Sequence, residues 1–128
     1  AADPGGKLIY VADRLNNNVW AMDVETGAVV GNYAVGSRPE NLLLAAEGLL
    51  YVLNAHSNTL SVIDLKKGEE VKSIGIGLLP AKMAIDAAGM ALYVVSEDLS
   101  ISVVDLTKNE RQKSIPIDSI PTDIVFVP

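Results

Sequence analysis

No cysteine occurs in the 128 residues, which excludes a disulfide frame, a thiolate nucleophile and any Cys-ligated zinc or iron–sulfur site. Histidine occurs once, at His56, so one chain cannot supply a histidine pair to a metal or a haem. Aromatic residues are scarce, with one Phe and one Trp. The apolar 49% of the chain is drawn instead from Val, Ile, Leu and Ala, a β-branched bias that favours strands over helices. Long apolar runs are missing too: stretches such as Leu42 to Ala46 fall far short of the roughly 18 residues of a membrane-spanning helix. Basic residues are outnumbered, ten against sixteen acidic, for a net charge of −6, and they are scattered. Neutralising phosphates needs the opposite balance, so nucleic acid is not an expected partner. A glycine-rich phosphate loop is absent, because Gly75-Ile76-Gly77 leads into a bend and not a helix. The opening Ala1-Ala2-Asp3-Pro4, without Met, reads as a site of signal-peptide removal or as a cut from a larger protein. Export is the expectation, to a periplasm, the extracellular space or a cell surface.

What the chain does have is repetition, and repetition decides the architecture. Tyr10-Val11-Ala12-Asp13, Tyr51-Val52-Leu53-Asn54 and Tyr93-Val94-Val95-Ser96 open three units. Each is followed by a polar stretch and then by Val19-Trp20-Ala21-Met22-Asp23, Leu60-Ser61-Val62-Ile63-Asp64 or Ile101-Ser102-Val103-Val104-Asp105. Asp23, Asp64 and Asp105 are 41 residues apart, as are Pro39, Pro80 and Pro121, and Gly36 and Gly77 each stand three residues before a proline. The apolar runs are five or six residues long and bounded by Gly, Asn, Asp and Pro, which is the signature of strands. In the second unit four such runs are expected, near Glu40 to Ala45, Leu49 to Asn54, Thr59 to Leu65 and Glu70 to Ile74. The turns between them are too short for parallel crossovers, so each unit is a four-stranded antiparallel meander. Its first strand is the most continuously apolar and its fourth the most charged, which predicts a gradient of burial from hub to rim.

A four-stranded unit of just over 40 residues, repeated radially, is a β-propeller blade. The quoted motifs resemble the YVTN family of propeller repeats of surface-layer and YncE-like proteins. The family's Tyr-Val-Thr-Asn is here Tyr-Val-Ala-Asp, Tyr-Val-Leu-Asn and Tyr-Val-Val-Ser, followed by the Val-Ser-Val-Ile-Asp-like run and the Gly-x-x-Pro bend. The fold class expected is therefore all-β, a single domain over 1–128 with repeats at about 8–45, 49–85 and 91–127, forming three four-stranded antiparallel blades. Three blades cannot close a ring. Asp3-Pro4-Gly5-Gly6 aligns with Asp86-Ala87-Ala88-Gly89, so the first blade is expected to lack its innermost strand, while Asp123 to Val127 reads as a spare one. Two closures follow: a six-bladed homodimer exchanging these strands, or completion by the remainder of a longer propeller.

Loops between the second and third strands, and between the fourth strand and the next first strand, share one face of a propeller. Ligand-binding candidates there are Arg14, Asn17, Arg38, His56, Lys82 and Asp123. Asn16-Asn17-Asn18 suits turn chemistry as well as hydrogen bonding to a ligand. Asp23, Asp64 and Asp105 stand at equivalent points of separate blades, which favours bonds to their own following turns over metal binding or acid catalysis. No catalytic residue, metal ligand or cofactor is expected. The resemblance implies a non-catalytic protein- or ligand-binding scaffold of an exported or cell-surface protein. The alternative is a propeller segment of a periplasmic redox enzyme or its partner subunit.

Overall fold

In the computed structural model the described residues are 1–119 and 121–127. Ile120, within the third expected repeat, and Pro128 lie outside them. Eleven strands form three antiparallel sheets. The first sheet holds β1 (Leu8–Asp13), β2 (Asn18–Asp23) and β3 (Val29–Ala34). The second runs in order through β4 (Pro39–Leu44), β5 (Leu49–Asn54), β6 (Thr59–Asp64) and β7 (Glu69–Gly75). The third repeats it with β8 (Pro80–Ile85), β9 (Ala91–Ser96), β10 (Ser100–Asp105) and β11 (Glu110–Pro116). A single 3₁₀ turn, Ala46–Gly48, is the sole helical element among the described residues. Irregularities recur in register: the third and fourth strands slip at Ala21/Met22, Val62/Ile63 and Val103/Val104, and the first strands at Pro39/Asn41 and Pro80/Lys82.

Strand periodicity explains why β5 and β6 carry so few polar residues. Leu50, Val52 and Ile63 point to one side and join Tyr10, Val19 and Ala21 of the first sheet in one core. Tyr51, Leu53, Leu60 and Val62 point to the other and join Met83, Leu92, Val94 and Val104 of the third sheet in a second core. Both faces of the middle sheet are therefore buried, and each fully buried Leu, Ile or Val contributes on the order of 1.5–3 kcal/mol. Neighbouring sheets meet along their inner sides, β1 against β4 and β8 against both β4 and β5, and along their outer sides, β3 beside β7 and β7 beside β11. The three sheets thus spread like a fan.

Two expectations are corrected. Burial peaks in the middle strands β5 and β6 and not in the innermost ones: β4 and β8 remain partly open, because nothing among the described residues lies across from them. The outer strands β7 and β11 are exposed almost throughout, as their charge predicts. The first sheet also has more of an inner strand than expected. Ala2 bridges Ile9, and Ala1, Asp3, Leu8 and Tyr10 exchange backbone hydrogen bonds of 2.7–3.1 Å, so Ala1 to Asp3 occupy the inner position beside β1. Among the described residues Val11 to Asp13 have no such neighbour. At the other end, Asp123 to Val127 form no strand, and Ile124 to Val127 line a hollow with Ala84 and Tyr93 on the outer flank of the third sheet.

Candidate functional site

The bends that carry the chain from one sheet to the next meet the β1–β2 and β5–β6 turns on one face. Their contacts repeat. The Arg38 N–H donates to Asn17 Oδ1 at 2.9 Å, and one repeat later the Leu79 N–H donates to Asn58 Oδ1 at 2.9 Å. The Ala55 and His56 N–H groups donate to the carbonyls of Arg38 and Ser37, and the Glu97 N–H to that of Leu79. Asn17 and Asn58 both have left-handed backbones, with φ of 57° and 55°, a conformation asparagine tolerates better than most residues. The asparagine at this point of the turn therefore fastens adjacent elements, and Asn17 does so through its side-chain oxygen.

Glycine in the Gly-x-x-Pro bend is needed for close approach. A Cβ on Gly77 would stand 2.6 Å from Ser100 Oγ and 2.8 Å from Ser96 Oγ. A Cβ on Gly36 would meet Ser57 and come within 2.8 Å of the Asn54 side chain. Asn54 is fully buried and donates to Thr59 Oγ1 and Ser61 Oγ, so the fourth letter of the repeat motif anchors the turn beneath the bend.

Two adjoining depressions lie on this face. The first, about 450 Å³, is lined by Arg14, Leu15, Asn17, Ser37, Arg38 and His56. The second, about 250 Å³, shares Arg38 and His56 and continues past Glu40, Leu79, Pro80 and Glu97 towards the third sheet. Arg38 is the common wall. Its Nε donates to Glu40 Oε1 at 2.6 Å, and its Nη1 lies 2.9 Å from His56 Nε2. A guanidinium only donates, so in this contact the acceptor is the His56 ring nitrogen Nε2.

Four of the six expected site residues, Arg14, Asn17, Arg38 and His56, are thus brought together. Lys82 and Asp123 are not. Lys82 sits exposed in β8, opposite Val95, and Asp123 follows β11 with its carboxylate accepting from the Ile124 N–H; neither lines the depressions. Sequence reasoning passed over Leu15 and Leu79, whose side chains border the site at 88% and 44% exposure. For Leu15 the available signal was a leucine inside an otherwise polar turn; Leu79 stands in the apolar stretch Ile76-Gly77-Leu78-Leu79-Pro80 and carried no such signal.

The remaining carboxylates of the repeat do local work. Asp23 accepts from the Glu25 and Thr26 N–H groups, Asp64 from Lys66 and Lys67, and Asp105 from Thr107. The Thr26 N–H holds the Asp23 carboxyl below its ordinary value, and the Thr107 hydroxyl does the same for Asp105. Asp13 is lowered chiefly by the Asn16 side-chain amide. Burial works against ionising Asp98, but hydrogen bonds from Ser100 and the Leu78 N–H outweigh it and leave its carboxyl lowered. Among the described residues no group of three acidic or histidine side chains could hold a metal ion, and no helix is long and apolar enough to cross a membrane.

No family model matches the chain, and no curated protein matches it. Among solved structures it is similar to one titled Kuenenia stuttgartiensis hydrazine synthase, at 29% identity and a TM-score of 0.88, over 95% of this chain and 36% of that one. The chain therefore spans about a third of the length of that neighbour, which it covers to 36%. Sheets and likeness together support a β-propeller-like all-β fold.

Proposed function

We propose that the chain is three blades of YVTN type from an exported or cell-surface propeller, acting as a non-catalytic scaffold that binds a ligand or protein on the Arg14–Arg38–His56 face. One observation carries this reading. The frame repeats from sheet to sheet, as the Asn17–Arg38 and Asn58–Leu79 clasps show, whereas the side chains presented over it are Arg14, Arg38 and His56 at one point and Leu79 and Glu97 at the next. Constant backbone with variable loop chemistry suits recognition. The same reading has the open flanks covered by a second copy, giving six blades. In support, the first sheet turns Ile9, Val11, Trp20 and Met22 away from the core that holds Tyr10, Val19 and Ala21, and Val11 to Asp13 lack an inner neighbour among the described residues.

The likeness to a hydrazine synthase favours a second reading, in which these blades belong to a redox enzyme or its partner subunit and the rest of the ring comes from further chain. Absorption spectra of the purified protein, before and after chemical reduction, separate the two. The scaffold reading expects only the ultraviolet bands of Tyr and Trp. A visible band that shifts on reduction and co-purifies stoichiometrically would overturn it in favour of the second.

A further inference from the structure

The larger depression is lined by two guanidinium side chains and one imidazole, and by no carboxylate. The nearest acid in sequence, Asp13, is turned to its own loop, accepting from the Leu15 and Asn16 N–H groups and from the Asn16 amide. Glu40 takes only the Nε donor of Arg38 and His56 takes one from Nη1, so the other guanidinium N–H donors of Arg38 are unspent. Arg14 has no ion pair among the described residues. A single carboxylate placed between Arg14 and Arg38 would complete both.

The molecule's net charge of −6 opposes a polyanion, and Glu40, paired with Arg38, and Glu97 line the smaller depression; the larger one sets two guanidiniums against no acid in its lining, so it is there that a lone carboxylate is favoured within the ~8 Å screening length. Leu15 lines the larger depression and Leu79 the smaller, both exposed, which offers apolar contact beside the charge. A free phosphate ion would use the arginines and leave the leucines in water. An extended polypeptide uses both.

We infer that the groove formed by Arg14, Leu15, Arg38, His56 and Leu79 docks an extended segment of another protein, presenting an Asp or Glu carboxylate to Arg14 and Arg38 with apolar side chains beside it. The inference deepens the scaffold reading and rests on it. His56 is a positioning residue here: by accepting from Nη1 it fixes the plane of the Arg38 guanidinium.

The test is a backbone-amide NMR titration of the full chain with the peptide acetyl-Leu-Glu-Leu-amide, with its Gln counterpart, and with inorganic phosphate. Expected are saturable shifts at Arg14 to Asn17, Ser37, Arg38 and His56, with the Gln peptide weaker by about tenfold or more, as loss of a charged hydrogen bond implies. Arg38→Gln should weaken the Glu peptide similarly. Arg14→Gln provides the same evidence if the Arg38 variant fails to fold. Lys72→Gln and Arg111→Gln, on the exposed outer strands, should leave the affinity unchanged. No saturable shift, equal binding of the Glu and Gln peptides, equal loss on Lys72→Gln, or phosphate binding tighter than the peptide would each overturn the inference. Those outcomes read the groove alone, whereas the scaffold reading fails separately, by a stoichiometric redox chromophore.

Discussion

Gly77 and Gly75 stand two residues apart and ask opposite things of the structure. The space a Cβ would need at Gly77 is taken by two serine hydroxyls, whereas at Gly75 nothing lies within 4 Å. Gly77→Ala should therefore cost about 1–3 kcal/mol, as overpacking does, and Gly75→Ala should stay within about 0.5 kcal/mol. Urea denaturation of the two variants measures the contrast directly. Titratable groups set a window in the same manner. Asp13, Asp23, Asp98 and Asp105 have carboxyls lowered from 3.8 in the folded state, so what they add is present above that value and is lost as the pH falls through their folded values. Burial raises Tyr51 and, with Tyr33 and Asp3 adding to it, Tyr10 above 10.0, so their contribution is present below that pH and fades as the pH climbs beyond it. Thermal melts should reach their highest midpoints between these limits and decline below pH 3.8 and above pH 10.0. Steady stabilisation on going below pH 3.8 would contradict the hydrogen bonds assigned to these aspartates.

At the scale of the strand, position within the sheet governs cost. Leu60 in β6 is fully buried between the second and third sheets, and Leu60→Ala should destabilise by about 2–5 kcal/mol. Val71 in β7 is 40% exposed, and Val71→Thr should stay within about 0.5 kcal/mol. Equal losses at the two would contradict the layering. In the second unit strand boundaries are legible in the sequence to within a residue, because short apolar runs bounded by Gly, Asn, Asp and Pro leave little freedom, as at Leu49 to Asn54; Asp123 to Val127, expected as a strand, forms none. The burial order was not legible. Continuous apolar character in "NLLLAA" signals burial only if something faces the inner strand, and periodicity carries no information about what lies across an axis. The site was legible in part for a similar reason. Arg14, Arg38 and His56 could be placed on one face by the order of the loops, but which of them touch depends on the twist and spacing of neighbouring sheets. Lys82 shares the right stretch of chain and still falls outside, on the strand and not in the bend.

For the molecule as a whole, the fan leaves two flanks open. The first sheet turns Trp20 and its neighbours outward, with Val24, Val29 and Val30 each more than half exposed nearby; on the third sheet Val125 and Val127 are nearly four-fifths exposed. Apolar surface of this kind, beside an unpaired strand edge, drives association. The closure proposed above therefore makes a direct statement about mass. Sedimentation velocity at micromolar concentration should give a species of twice the 13.5 kDa chain mass, with β-rich circular dichroism and no dissociation on modest dilution. A well-folded monomer of 13.5 kDa, stable under the same conditions, would contradict a ring closed by a second copy.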